Sequence, residues 1–226
     1  MEWHVDALFS HDTASRMVAV NEPDGAAAPR LFLGRTPVGN VLRVGAGVSR
    51  AVFDEINKVH AREPTTTDPS PTPRRAAAYR EALEADARIQ TERSGPCFWH
   101  PPSDHPVSAR VIPLTAETRD RLHPALNDWG PGIEDTQPAF GRLVGDRIVA
   151  ICASVRVTPS CHEAGVETAP DFRSNGYATQ AVKTWVNRLS TIDVVPLYST
   201  TWENCASRRL ATKAGFIQYG VDWWVR

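Results

Sequence analysis

The sequence predicts a mixed α/β fold, and three observations support this prediction. The segment Ile148–Val155 is almost entirely apolar, which is typical of a central strand. After residue 110, strand and helix periodicities follow one another along the chain. Hydrophobic residues make up 42% of the 226 residues and charged residues 23%, which is an ordinary globular composition that excludes wholesale disorder.

The first hundred residues have weak periodicity and several breaks. Alternation, helix propensity and proline content together indicate the following elements. They are a hairpin at Leu31–Gly34 and Val38–Val48, a helix at Ala51–His60, a proline-rich loop at Glu63–Pro73, a helix from Arg74 to about Gln90, a break at Ser94–Pro96 and a strand at Cys97–Trp99.

The rest of the chain has a more regular pattern. Three signals stand out in it: a helical stripe at Leu114, Leu122 and Leu126, a hairpin signal at Gly145-Asp146, and a glycine that ends a helix at Gly215. The predicted elements are a helix at Pro113–Leu126, strands at Ala139–Val144, Arg147–Val157 and Cys161–Ala169, a helix at Arg173–Leu189, a strand at Val194–Thr200, a helix at Ala206–Lys213 and a strand at Phe216–Val225.

Charge and cysteine content exclude several classes of protein. Lys and Arg total 25 against 26 for Asp and Glu, so no basic field indicates a nucleic-acid partner. No apolar run reaches the roughly 18–20 residues of a membrane helix, and the first residues do not resemble a secretory signal. The four cysteines form no C-x-x-C pair. We therefore expect a reduced, cytoplasmic protein with no membrane association and no metal site.

One segment combines a strand, a short loop and the start of a helix. In Val166–Thr179 the loop has the form R-x-x-G-x-A, with Arg173, Gly176 and Ala178 at the defining positions. Backbone N–H groups exposed at a helix N-terminus bind phosphate, and the helix dipole favours the negative charge. The glycine lets a ligand approach the backbone, and the arginine adds a positive charge. This pattern predicts a site for a phosphate or pyrophosphate.

A second segment, from Asn204 to Phe216, has the form N-x-x-S followed by G-F at Gly215. With the R-x-x-G-x-A loop upstream, in this order and spacing, residues 110–226 resemble the GNAT superfamily of acyl-CoA-dependent N-acyltransferases. The resemblance implies a GNAT fold, with a central mixed sheet flanked by helices, in a domain at 106–226. Residues 1–105, which the resemblance does not cover, would be an N-terminal extension: a lid, a degenerate GNAT-like half or a docking module.

The resemblance also implies which residues bind acetyl-CoA, or another acyl-CoA. Backbone groups of Val166 and Thr168 would face the pantetheine arm and the acyl carbonyl. Two residues before and within the last helix, Asn204 and Ser207, match positions at the thiol end and the arm. The pyrophosphate would be held by the loop and first helical turn, namely Arg173, Ser174, Asn175, Gly176, Tyr177, Ala178 and Thr179.

The implied reaction is direct attack of an amine on a thioester, and an amine must lose a proton to attack. Glu163 and Glu167 would share one face of an unbulged strand, so either carboxylate is a candidate base, with His162 as a third option. Many relatives have a tyrosine seven residues after the asparagine, where it protonates the leaving thiolate. Here that position is Ala211, which leaves the acid unassigned.

The predicted acceptor is a small-molecule amine or an amino-acid-like molecule. Asp128, Trp129 and Glu134 lie in a turn-rich loop and could receive a cationic amine by charge and cation–π contact. The leading hypothesis is therefore an acetyl-CoA-dependent N-acetyltransferase, with a homodimer left open. The alternatives are another donor, such as a longer acyl-CoA or an aminoacyl-tRNA, and a non-catalytic acyl-CoA-binding module.

Overall fold

The computed structural model describes residues 1–23, 25–65, 67 and 72–226. The helices are α1 (Glu2–Leu8), α2 (Arg50–His60), α3 (Ala76–Glu84), α4 (Tyr177–Ser190) and α5 (Cys205–Ala214). The strands are β1 (Phe9–His11), β2 (Met17–Val20), β3 (Leu31–Thr36), β4 (Gly39–Val44), β5 (Glu92–Trp99), β6 (Val111–Pro113), β7 (Ala139–Val144), β8 (Arg147–Val157), β9 (Cys161–Thr168), β10 (Val195–Ser199) and β11 (Ile217–Val225). None of the described helices is both long enough and apolar enough to cross a bilayer.

The chain forms two compact units, and each is assembled from separate segments. The first unit comprises residues 1–98, 199–205 and 218–226, and the second comprises 99–198 and 206–217. The two units therefore alternate along the sequence. The predicted boundary separates an N-terminal extension, residues 1–105, from a catalytic domain, residues 106–226. This boundary stays a prediction.

The first unit is built on a sheet with strand order β4-β3-β11-β5. Side chains alternate across β3, so its two faces pack against different helices. Leu31 and Leu33 join a buried cluster with Trp223 and residues of α2 and α3. Phe32 points to the opposite face, where it packs with residues of α1. Both faces of this sheet are therefore covered.

The second unit is built on strands in the order β10-β9-β8-β7-β6. The β10–β9 pair is parallel, whereas the β9–β8, β8–β7 and β7–β6 pairs are antiparallel. Helix α4 covers one face, where Trp185 Nε1 donates to Ser154 Oγ at 2.9 Å. The opposite face carries an apolar cluster that includes Leu126 and Ile151. This arrangement confirms the predicted mixed α/β class.

The predicted helix at Pro113–Leu126 is wrong. Its residues form the end of β6 and 3-10 turns at Arg119–Arg121 and Pro124–Trp129. Thr118 Oγ1 donates to the carbonyl of Pro113 at 2.9 Å and accepts the Thr115 N–H at 2.9 Å, so side-chain bonds replace helical ones. Pro124 also disfavours a helical conformation at the preceding residue. The apolar stripe is nevertheless buried, at Leu114, Leu122 and Leu126.

Three other expectations need correction or restriction. The predicted break at Ser94–Pro96 lies inside β5. Position 95 of this strand requires glycine, because a Cβ there would stand 1.6 Å from the carbonyl oxygen of Thr200. The helix expected from Arg74 to Gln90 is limited to Ala76–Glu84. Within the predicted loop Glu63–Pro73, residues 66 and 68–71 lie outside the described residues. The short elements α1, β1 and β2 were not predicted.

Candidate functional site

Strands β9 and β10 are paired over only part of their length. Their parallel register runs from Cys161 opposite Val195 to Glu163 opposite Leu197. On its other edge, β9 stays paired with β8 as far as Thr168. The described register therefore shows β9 continuing beyond its pairing with β10, over a stretch that includes Val166 and Thr168.

The loop after β9 bends sharply before it enters α4. A 3-10 turn at Pro170–Phe172 is followed by two residues in the left-handed region, Ser174 at φ 65° and Gly176 at φ 75°. The side-chain amide of Asn175 donates to the carbonyls of Phe172 and Arg173, at 3.2 and 3.0 Å. Glycine suits position 176 because left-handed backbone is costly for residues with a Cβ.

Several consecutive backbone amides at the start of α4 have no hydrogen-bond acceptor among the described residues. In the described part of the chain, the backbone N–H groups of residues 174–179 have no protein acceptor. Residues 174–176 are exposed, and a Cβ on Gly176 would meet nothing within 4 Å. Open space over a row of donors at the positive end of a helix fits a pyrophosphate group. The arrangement can therefore hold the phosphates of an acyl-CoA.

Arg173, Asn204 and Ser207 occupy different surroundings. Arg173 is exposed, and its Nε donates to the carbonyl oxygen of Thr168 at 3.4 Å. Asn204 belongs to the first unit, where its N–H donates to Thr201 and it directly precedes α5. Ser207 lies on α5 in the second unit, 2.6 Å from the hydroxyl of Tyr198. Burial raises the pKa of Tyr198 to about 12, so its phenol is protonated at neutral pH.

The two candidate carboxylates lie on the same face of β9, opposite α4. Trp129 Nε1 donates to Glu167 Oε2 at 2.7 Å, and the Trp129 ring lies 2.9 Å from where a Cβ of Gly165 would stand. Strand alternation gives Glu163 the same direction as these two residues. Glu163 is only 2% exposed, whereas Glu167 is exposed. The structure therefore brings together Trp129 and Glu167, whose contact the sequence did not predict.

His162 points to the opposite face of β9. Its Nδ1 lies 2.9 Å from Ser154 Oγ, which also accepts a hydrogen bond from Trp185 of α4. Burial lowers the pKa of His162. The ring is therefore packed between the sheet and α4, on the face away from Glu167.

The other predicted acceptor residues lie on the turns around Trp129. Asp128 is in the 3-10 turn Pro124–Trp129, and Glu134 is in the turn Ile133–Thr136. Both carboxylates are exposed. They place negative charge on the surface of two successive turns, the first of which also carries the half-buried Trp129.

Arg142 is a residue that sequence reasoning missed. It lies in β7, is 8% exposed, and its guanidinium carbon is 4.8 Å from the ring centroid of Tyr177, the first residue of α4. Its Nε donates to Gln180 Oε1 at 2.7 Å. A single arginine in an alternating strand carries no motif, so only the sheet register brings it to the helix.

A separate cluster of metal-binding residue types lies in the first unit. His4, Cys97 and Asp222 place potential donor atoms within 4.8 Å of one another, and all three are buried. These residues are far apart in the chain, so no spacing motif indicates them. The absence of a metal site, expected from sequence spacing, stays a prediction.

Comparison with known proteins identifies the family of this domain. Residues 139–220 match the family model described as GNAT acetyltransferase. These residues therefore form a GNAT acetyltransferase domain, which accounts for part of the chain. No curated protein matches the sequence significantly.

One solved structure with a TM-score above 0.5 supports the fold at low sequence identity. A protein from Novosphingobium aromaticivorans DSM 12444 assigned to the GNAT family is 16% identical, with a TM-score of 0.52 over 61% of this chain and 66% of its own. A GNAT-family acetyltransferase from Colwellia psychrerythraea is 13% identical, with a TM-score of 0.46 over 66% and 61%. A GCN5-related N-acetyltransferase-like protein from Streptococcus suis 89/1591 is 12% identical, with a TM-score of 0.49 over 88% and 85%. The chain thus spans less than two thirds of the first two structures, and the first of them supports the fold.

Proposed function

We propose that the protein is an acyl-CoA-dependent N-acyltransferase, with acetyl-CoA as donor and a small-molecule amine as acceptor. One observation carries the proposal. The end of the β9–β10 pairing, the left-handed loop and the unpaired amides of residues 174–179 follow one another within a GNAT domain. This succession suits a ligand with an extended arm and a pyrophosphate, as in coenzyme A.

Each part of the donor has a matching group in the chain. Amides of residues 174–179 would bind the pyrophosphate, with the exposed Arg173 adding charge at the rim. Backbone groups of Val166 and Thr168 would bind the arm and the carbonyl end, and a backbone N–H there would stabilise negative charge on the carbonyl oxygen. Ser207 on α5 would contact the arm, and the role of Asn204 stays a prediction of the sequence resemblance. The thioester itself supplies an activated acyl carbonyl.

The face of β9 that carries the carboxylates would serve the acceptor. An alkylamine with a pKa near 10.4 pays about 4.6 kcal/mol to be neutral at pH 7, so a base that accepts this proton accelerates attack. Glu167 is exposed and held by Trp129, so it can contact an amine that enters from solvent. Glu163 is buried further along the same face and would act through water. Asp128 and Glu134 would attract the cationic amine.

The departure of the thiolate requires no tyrosine at position 211. Ala211 lies within α5 and is 1% exposed. A thiol has a pKa near 8.5, so its anion is a stable leaving group close to neutral pH. Unassisted departure of the thiolate is therefore part of the proposal.

Calorimetric titration followed by a turnover assay tests the proposal. The purified protein is titrated with acetyl-CoA, free CoA and longer acyl-CoAs, and thiol release is then measured across a panel of amines. Saturable one-to-one binding with amine-dependent thiol release supports an acyltransferase. Binding without release for any amine would favour a non-catalytic acyl-CoA-binding module. Absence of binding to every acyl-CoA would overturn the proposal and redirect the search to aminoacyl-tRNA.

A further inference from the structure

A buried positive charge lies beneath the first turn of α4. Arg142 occupies the middle of β7, opposite Ala150 of β8, which is itself opposite Thr168 at the end of β9. This row across three strands places Arg142 level with the start of the loop. Its guanidinium stacks 4.8 Å from the Tyr177 ring centroid and bonds to Gln180, so the charge is fixed under the helix start.

This charge has no carboxylate partner among the described residues. Its contacts are the amide oxygen of Gln180 and the aromatic ring of Tyr177, and neither is a carboxylate. Nη1 is buried with no hydrogen-bond partner in the part of the chain that the structure describes. Burial lowers the pKa of Arg142; Tyr177 opposes this shift, and the positive charge of Arg110 adds to it. The positive end of the helix dipole is also adjacent.

An unpaired buried charge is costly for a folded protein, and this one lies close to the positive charge of Arg110 and the N-terminus of α4. Such a group is compensated when an anion binds nearby. The unpaired amides of residues 174–179 and the open space over Gly176 provide a place for that anion at the same helix end. Arg173 is a weaker source of charge, because it is exposed and solvent screens it.

We propose that Arg142 is the buried cation of the anion site at the N-terminus of α4, and that the diphosphate of acyl-CoA supplies its missing counter-charge. The proposal rests on the proposed function for the identity of the ligand. Arg142 acts through its electric field and by holding Tyr177 and Gln180, so it is a positioning residue of the donor site. Diphosphate-containing ligands should depend on it, and ligands without a diphosphate should not.

Arg142→Met tests the proposal, because methionine keeps much of the side-chain volume and removes the charge. Calorimetry measures the Kd of acetyl-CoA, of inorganic pyrophosphate and of S-acetylpantetheine, which lacks the diphosphate. We expect the Kd of acetyl-CoA and of pyrophosphate to rise about tenfold or more. The Kd of S-acetylpantetheine should stay unchanged. Arg142→Lys should retain most of the affinity, and Arg110→Met is the matched control that removes an exposed charge close by.

Thermal unfolding without ligand gives a second readout with the opposite sign. Removal of an uncompensated buried charge should leave the Tm of Arg142→Met unchanged or raise it, whereas a structural arginine would lower it. Wild-type-like acetyl-CoA binding by Arg142→Met would overturn the inference, and so would equal weakening of S-acetylpantetheine. If Arg142→Met does not fold, the inference is overturned unless Arg142→Lys retains pyrophosphate affinity. If the wild type binds pyrophosphate but no acyl-CoA, the proposed function fails while the anion site stands; if it binds neither, both fail.

Discussion

Replacement of Gly176 by aspartate should abolish most donor binding while the fold is retained. Gly176 is the residue before α4, its φ is 75°, and a Cβ there meets nothing within 4 Å. A side chain therefore has room, and its main structural cost is the left-handed backbone, about 1 kcal/mol for a residue with a Cβ. The carboxylate would stand in the space assigned to the pyrophosphate.

The expected loss of affinity follows from the electrostatics of this loop. Two unit charges about 5 Å apart repel by about 3 kcal/mol at an effective dielectric constant of about 20, and by about 0.8 kcal/mol in bulk water. Residues 174–176 are exposed, so the effective value lies between these limits. A ligand with several phosphate charges increases the repulsion. We therefore expect the Kd of acetyl-CoA to rise about tenfold to a hundredfold.

Gly176→Asn is the matched control for this variant. Asparagine has the same shape as aspartate, tolerates left-handed backbone about as well, and carries no charge. Calorimetry with acetyl-CoA at low and high salt compares the two variants, and thermal unfolding confirms that both fold. The difference in affinity between Asp and Asn should shrink at high salt because salt screens exposed charges. Equal affinities for acetyl-CoA in the two variants would refute the placement of the pyrophosphate.

Three further predictions concern the acceptor face and β10. Trp129→Phe removes the hydrogen bond to Glu167 and keeps a ring in place, so kcat/KM for the amine should fall severalfold while the Kd of acetyl-CoA is unchanged; an equal change in both would assign Trp129 to the donor site. Glu167→Gln should lower kcat by about 10²-fold or more, and Glu163→Gln by less, in steady-state assays across pH; the reverse ranking would make the buried carboxylate the base. Tyr198 has a folded pKa of about 12 against about 10 when unfolded, so its contribution to stability is present below pH 10 and is lost as the pH rises to 12. The free energy of unfolding of the wild type should therefore fall over this range by about 2 kcal/mol more than that of Tyr198→Phe, and parallel pH profiles would contradict the assignment.

Local sequence pattern predicted the elements that depend on local signals. The β7–β8 hairpin forms where Gly145 was expected to turn the chain, and Gly145 has a φ of 55°. The helix expected at Arg173–Leu189 forms α4, and the expected glycine after α5 is Gly215, which has a φ of 101°. Each of these features is decided within a few residues, so periodicity and turn chemistry suffice to find it.

The features that sequence pattern missed depend on contacts between distant residues. The stripe at Leu114, Leu122 and Leu126 is genuinely buried, but in 3-10 turns that cover a sheet, so the helical period was misleading. Gly95 was expected in a break that ends the preceding helix, and it lies instead in β5, where the approach of Thr200 requires a glycine. The register of the sheet likewise places Arg142 under α4, and no local signal could have indicated it.

The interleaved chain segments of the first unit constrain the order of folding. Strand β11 lies between β3 and β5 in its sheet, although almost 120 residues separate β11 from β5 in sequence. During synthesis, the first hundred residues therefore leave the ribosome without the strand that completes their sheet. Contacts between such distant segments are slow to form because loop closure costs entropy. Residues 1–105 expressed alone should thus expose the edges of β3 and β5 and aggregate, and addition of a peptide spanning β11 should increase their solubility.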